Sequence, residues 1–127
     1  MRPISERKIL VVDDYREMIA ISRRMLLGFG FKEIDDAVDG PSALVKLRAS
    51  PYDLVISDLT MQPMDGLEFL REIRDDAALR ALPFIMVTAS SEEGDIVAAK
   101  DAGVTAYILK PFTAGLLRQR IDAVLTA

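Results

Sequence analysis

The stretch Asp53-Leu54-Val55-Ile56-Ser57-Asp58-Leu59-Thr60-Met61-Gln62-Pro63-Met64-Asp65-Gly66 decides how the chain is read. Leu54-Val55-Ile56 is a branched apolar run without alternation, as a strand buried on both faces requires, and it carries one acid, Asp58, to the point where that strand should end. A loop holding Pro63 follows and closes at Gly66. Leu67, Phe69, Leu70 and Ile73 then resume at helical spacing. An aspartate at a strand end most often caps the turn or helix after it, so the meaning of Asp58 depends on what the neighbouring strands bring beside it.

Towards the N-terminus, Lys8-Ile9-Leu10-Val11-Val12 is a second unbroken β-branched run, and it stops at Asp13-Asp14. Met18, Ile21, Ser22, Met25 and Phe29 then mark a helix face, with Gly28 and Gly30 as its stop. Glu33-Ile34-Asp35-Asp36-Ala37 is a more charged strand, suited to a sheet edge. Asp39-Gly40-Pro41 opens a helix bearing Ala43, Leu44 and Leu47, and Pro51 ends it. Towards the C-terminus, Asp75-Asp76 and Pro83 bracket a connection. Phe84-Ile85-Met86-Val87 is a strand ending at Thr88-Ala89-Ser90, and a fourth helix is expected from about Glu92 to Ala102. Tyr107-Ile108-Leu109 forms the last strand before Lys110-Pro111. Thr113 can cap a final helix whose apolar face is Leu117, Ile121 and Val124.

Strands alternating with helices predict an α/β, doubly wound, five-stranded parallel sheet with helices on both faces. In such folds the ligand site lies beyond the carboxyl ends of the strands, at the topological switch point. Asp13 and Asp14, Asp58, Thr88 and Lys110 occupy the carboxyl ends of strands one, three, four and five. Four strands therefore aim polar groups at one rim.

Composition limits what that rim can do. The 127 residues suffice for one domain, taken as 1–127, and include no histidine and no cysteine. Imidazole metal sites, His-dependent general bases, disulfides and thiol catalysis are excluded. No stretch approaches the roughly 20 apolar residues of a membrane span, and the charged N-terminus lacks the apolar core of a signal peptide, so a cytoplasmic protein without membrane insertion is expected. A net charge of −4 with scattered basic residues argues against direct nucleic-acid binding.

Three carboxylates in one cleft repel one another and need raised pKa values or a cation. Mg²⁺ suits them: it takes hard oxygen ligands in near-octahedral geometry and keeps several waters. Asp14 and Asp58 are candidate direct ligands, Asp13 binds directly or through water, and the Thr60 carbonyl is placed to complete the protein's share. Lys110 and Thr88 add a positive charge and a hydroxyl donor, more than metal binding alone requires. They suit a phosphoryl group. A carboxylate can attack phosphorus and become an acyl phosphate while metal and lysine offset the charge on the equatorial oxygens. Met61 and Met64 read as packing residues.

The runs V-V-D-D, V-I-S-D-x-x-M, M-D-G-L, M-V-T-A and K-P-F-T-A, in this order and spacing from about Lys8 to Leu125, resemble the receiver domain of two-component response regulators, above all the single-domain chemotaxis regulators. The resemblance implies the flavodoxin-like (CheY-like) strand order 2-1-3-4-5. It further implies that Asp58 accepts a phosphoryl group from a phosphohistidine on a sensor histidine kinase, that Asp13 and Asp14 hold Mg²⁺, and that Lys110 and Thr88 contact the phosphoryl group. Tyr107 is then the switch aromatic that turns inward as the threonine moves. Thr60 and Ser90 flank the site and tune phosphate lifetime. Helix four, strand five and helix five form the face that reads out the state to a partner, by a shift between two packings. A cis Lys110-Pro111 bond is also implied.

The chain departs from the family at several points. Many relatives have proline directly after the methionine, whereas here Gln62 intervenes and the extended bias falls on Gln62. Leu59 and Ser90 replace the tryptophan and the acid of the chemotaxis regulator, so no dephosphorylation rate or phosphatase partner carries over. An aspartate-nucleophile phosphohydrolase would resemble D-x-D on the first strand, and here the +2 position after Asp58 is Thr60. A nucleotide-binding module lacks its G-x-G-x-x-G or G-x-x-x-x-G-K-[ST] motif, and a pseudo-receiver is disfavoured because every chemical position is filled. The expectation is a monomeric phosphoacceptor without an output domain, catalysing only its own phosphorylation and dephosphorylation. Its expected target is a flagellar motor switch protein, with other single-domain phosphorelay or cell-cycle roles as the alternative.

Overall fold

A computed structural model describes residues 3–126. After a 3₁₀ turn at Ile4–Glu6, the elements run β1 (Lys8–Val12), α1 (Arg16–Phe29), β2 (Glu33–Ala37), α2 (Gly40–Ala49), β3 (Leu54–Asp58), α3 (Gly66–Asp75), β4 (Phe84–Thr88), α4 (Glu93–Asp101), β5 (Ala106–Leu109) and α5 (Ala114–Thr126). The sheet is parallel in the order β2-β1-β3-β4-β5, as expected. The order reverses between β1 and β3, and their registered pairs Val11–Ile56 and Val12–Ser57 bring Asp13 and Asp58 to the same rim.

The strands are apolar on both faces because both are covered. Leu10, Val12, Val55, Phe84 and Met86 pack with Leu44, Leu47, Phe69, Leu70 and Ile73 of α2 and α3. Ile9, Val11, Leu54, Ile56, Ile85, Val87 and Ile108 face the other way, onto Ile19 and Leu26 of α1 and Leu117 and Ile121 of α5. The Phe69 and Phe84 rings meet edge to face at 5.6 Å, the preferred arrangement of two aromatic quadrupoles.

Helix ends follow the local chemistry. Asp65 and Glu68 form a capping box on α3, with Asp65 Oδ1 accepting from Glu68 N at 2.8 Å and Glu68 Oε1 accepting from Asp65 N at 3.3 Å. Asp39 caps α2 through Ser42 N at 2.7 Å, and Thr113 Oγ1 accepts from Leu116 N at 3.1 Å at the start of α5. Two expectations for α1 are corrected. Gly28 lies inside the helix, and Gly30 alone ends it, in the left-handed region at φ 107°. Of the face read off the sequence, Ser22 is buried and Met25 and Phe29 pack against the core, whereas Ile21 is exposed; Ile19 and Leu26 complete the buried stripe, which is rotated by about one position towards them.

β2 is an edge strand, as its charge predicted. Since the Ala37 carbonyl accepts from Asp13 N, alternation turns the Ile34 and Asp36 carbonyls away from β1. Both are taken up by side chains. Arg23 of α1 donates to the Ile34 carbonyl at 2.7 Å and pairs with the Asp36 carboxylate, and Lys46 of α2 donates to the Asp36 carbonyl.

Candidate functional site

At the rim of β1 and β3, one oxygen each from Asp13, Asp14 and Asp58 lie within 4.8 Å of one another. They differ in exposure: Asp13 is buried, Asp58 half-buried and Asp14 exposed. Lys110, just after β5, reaches across β4 so that its Nζ stands 3.5 Å from Asp13 Oδ2 and 3.5 Å from Asp58 Oδ2. One ammonium thus serves two carboxylates. Burial pushes the Asp13 carboxyl above its ordinary value, opposed by the hydrogen bond it accepts from Tyr15 N at 2.9 Å and by Lys110. Neither acid caps the following helix, because α1 begins at Arg16 with Tyr15 as its N-cap and no side-chain cap.

Thr88 ends β4 beside this group and is 1% exposed. Its carbonyl accepts from Lys110 N at 2.8 Å, which ties the threonine and the lysine to one another through the backbone. Its hydroxyl oxygen accepts from Ser90 N at 3.1 Å, leaving the hydroxyl proton to donate elsewhere. Tyr107 of β5 lies half-buried against the core on the α2–α3 side, and its hydroxyl donates to the Ser90 carbonyl at 2.9 Å. Ser90 in turn donates its hydroxyl to Asp95 in the first turn of α4 at 2.5 Å.

The loop after Asp58 is held from within. Gly66 N donates to the Leu59 carbonyl at 2.7 Å, and a Cβ at Gly66 would lie 2.2 Å from the Asp58 carbonyl oxygen and 2.8 Å from Leu59 Cα. Only glycine allows the start of α3 to lie so close to the end of β3. Met61 is 1% exposed and Met64 packs over Gly40, which bears out both as packing residues. Gln62-Pro63 and Lys110-Pro111 are both cis, the second as the resemblance implied. Thr60 is exposed in this loop, two residues beyond Asp58.

Residues 9–122 match the response regulator receiver domain family. The chain belongs to that family. Chemotaxis protein CheY-3 of Vibrio cholerae serotype O1 is 40% identical to this receiver over 117 residues, covering 92% of this chain and 90% of that protein. Chemotaxis protein CheY of Pseudomonas aeruginosa is 39% identical over 117 residues, 92% of this chain and 94% of that protein. Among solved structures, Vibrio cholerae chemotaxis protein CheY4 superimposes with a TM-score of 0.87 at 30% identity, covering 94% of this chain and 98% of that one. The receiver domain of sensor histidine kinase PA1611 from Pseudomonas aeruginosa, described with a magnesium ion coordinated in its active-site cleft, gives a TM-score of 0.87 at 27% identity, covering 95% and 98%.

The receiver's own residues fit a hard divalent ion. Three carboxylates meet where Lys110 pairs with two of them, and the most buried, Asp13, is held above its ordinary pKa by desolvation, which is a site short of positive charge. Asp13, Asp14, Asp58 and Lys110 are brought together as the sequence reading expected, and Thr88 is attached to them through Lys110. Sequence reasoning missed the extent of Ser90's role. Its side chain works on α4 through Asp95, and a serine five residues before an acid at a helix start was the only signal.

Proposed function

We propose that this CheY-like receiver takes a phosphoryl group on Asp58 from the phosphohistidine of a sensor histidine kinase. The observation that carries this reading is Lys110 Nζ at 3.5 Å from both Asp13 and Asp58, inside a three-carboxylate cleft at the sheet's switch point. An Asp58 carboxylate oxygen attacks phosphorus. The O–P bond forms as the donor's P–N bond breaks, and the electron pair leaves on the imidazole nitrogen, which takes up a proton. Lys110 is positioned to follow the charge from the carboxylate to the phosphoryl oxygens, and Thr88 has its hydroxyl proton to donate to one of them. Asp13, Asp14, Asp58 and the Thr60 carbonyl would hold Mg²⁺, which when bound offsets the charge gathering on those oxygens. Return to the resting state is hydrolysis of the acyl phosphate, in which water attacks phosphorus and the O–P bond to Asp58 breaks. Thr60 and Ser90 set that rate. The chemistry is confined to the receiver's own phosphorylation and dephosphorylation.

The test is mass spectrometry after incubation with acetyl phosphate and Mg²⁺. One phosphoryl adduct is expected, lost in Asp58→Asn; no adduct, or one that survives the substitution, refutes the reading.

For the output, the chemotaxis relatives favour a flagellar motor switch protein that reads α4, β5 and α5, with the receiver acting as a cytoplasmic monomer and Tyr107 as the switch. Exposed Ile96, Val97 and Leu109 give that face apolar contact area. A phosphorelay role is the second reading, because receivers from two sensor histidine kinases superimpose as well as the chemotaxis protein does, at TM-scores of 0.87. Pull-downs with and without beryllofluoride decide between them: a switch protein captured only with beryllofluoride supports the first, a phosphotransfer partner the second.

A further inference from the structure

Three parts of the receiver meet at Ser90. Its N–H donates to Thr88 Oγ1 at 3.1 Å, its carbonyl accepts from the Tyr107 hydroxyl at 2.9 Å, and its hydroxyl donates to Asp95 Oδ2 at 2.5 Å. Glu92 N adds a longer bond to the Ser90 hydroxyl oxygen at 3.4 Å. A residue bonded through N–H, carbonyl and side chain has one position available to it. Of the three bonds, the one to Asp95 is charge-assisted and the strongest.

α4 has little else to fix its start. Its N-cap residue, Glu92, makes no side-chain cap, Gly94 in its first turn is a poor helix former with open space around it, and Ala99 is its single buried residue among those described. Asp95 occupies the N3 position, from which an acid normally reaches back to the N-cap N–H, as Glu68 does in α3. Here the carboxylate reaches two residues further back, to Ser90. Burial pushes the Tyr107 phenol above its ordinary pKa, and the Asp95 carboxylate adds to that, so the acid also lies close enough to act on the phenol.

We propose that Asp95 is a positioning residue: through the Ser90 hydroxyl it fixes the β4–α4 loop with the Ser90 carbonyl turned to Tyr107, and so holds the tyrosine inward by bonds that do not involve Asp58. The restraint stands on the geometry alone. Its regulatory consequence, which rests on the receiver reading above, is that the face formed by α4, β5 and α5 is partly set before phosphorylation. A ligand of Asp58 then binds a state already populated, and releasing the loop weakens that binding by the fraction lost.

The experiment follows Tyr107 in full-length protein labelled at tyrosine ¹³Cζ, first without metal or phosphoryl donor. Asp95→Ala is expected to move the Tyr107 resonance to an exposed-tyrosine position and bring its titration down towards 10.0, the ordinary phenol value. Ser90→Ala should do the same, the double variant no more than either single one, and Ser90→Thr, which keeps the hydroxyl, should retain the inward resonance. Beryllofluoride binding with Mg²⁺ should weaken about fivefold in Asp95→Ala, a fold-change corresponding to about 1 kcal/mol. A Tyr107 resonance unmoved in both Asp95→Ala and Ser90→Ala overturns the restraint. Movement of Tyr107 with unchanged beryllofluoride affinity overturns its regulatory consequence. If Asp95→Ala releases Tyr107 while wild-type protein binds no beryllofluoride at all, the receiver chemistry fails and the restraint stands.

Discussion

Asp13→Asn should make the metal-free protein more stable, although it removes one arm of an ion pair. At an effective dielectric of about 20, Lys110 at 3.5 Å attracts the Asp13 carboxylate by about 5 kcal/mol, and each of the other two carboxylates, within 4.8 Å, repels it by at least about 3.5 kcal/mol before solvent screening. Asp14 is exposed and its share is reduced by solvent, so the net repulsion is about 1–2 kcal/mol, and desolvation of a carboxylate only 6% exposed acts in the same direction. Asparagine keeps an oxygen to accept from Tyr15 N, and Lys110 keeps Asp58. Urea unfolding in EDTA near neutral pH should therefore show Asp13→Asn about 1–2 kcal/mol more stable, a midpoint shift on the order of 0.5–1 M. The pH dependence has a fixed sign. Because the native carboxyl pKa is raised above 3.8, the native state binds the proton more tightly than the unfolded chain; stability falls as pH rises from 3.8 through the raised value and stays lowered above it. The advantage of the variant should shrink as pH is lowered through that window. Saturating Mg²⁺ should also shrink it, by stabilising wild type more than the variant. An Asp13→Asn protein no more stable than wild type in EDTA would refute the reasoning.

Gly66→Ala should cost about 3 kcal/mol in urea unfolding, since the added carbon meets the Asp58 and Leu59 backbone at 2.2 and 2.8 Å and backbone cannot step aside. Arg74, whose guanidinium donates to Leu82 O at 2.6 Å, Gly103 O at 2.8 and 3.0 Å and Arg80 O at 3.2 Å, ties α3 to the two turns that follow α3 and α4; Arg74→Met should lower stability by about 2–3 kcal/mol in thermal or urea unfolding, and Arg74→Lys should not restore it. Tyr52 is pushed up to about 12 by burial and by the bond its hydroxyl donates to Asp35 at 2.6 Å. The native state then holds a proton that the unfolded chain releases from 10.0, so stability should fall between pH 10 and 12, and Tyr52→Phe should flatten that slope in alkaline urea titrations.

The strands and the rim were legible because a doubly covered parallel strand must be apolar throughout, and each of these runs stops at the residue that matters: Val12 before Asp13, Ile56 two residues before Asp58, Val87 before Thr88, Leu109 before Lys110. The helix starts at Asp39 and Thr113 were legible for the same local reason, since each side chain has its partner, Ser42 N or Leu116 N, within one turn, whereas the Asp65–Glu68 capping box went unread. What failed was rotational and non-local. Both Met18-Ile21-Met25 and Ile19-Ser22-Leu26 have helical spacing, and only the sheet decides which stripe it receives. Gly28 reads as a stop because glycine is a poor helix former, yet Gly30 two residues later is the one with positive φ. The cis Gln62-Pro63 bond has no sequence signature that separates it from the trans form. Ser90 was visible as a neighbour of the site, whereas its bond to Asp95 depends on where α4 begins in space.

The occupied carbonyls of β2 limit how these molecules can join. With Arg23 and Lys46 on the outward carbonyls of one margin, and no side chain among the described residues across the backbone of β5, strand addition has a single direction open to it. Two copies that met through β5 would present β2 at both outer margins, and neither could recruit a third. Growth stops at two, which spares the parallel sheet from becoming a template for fibres.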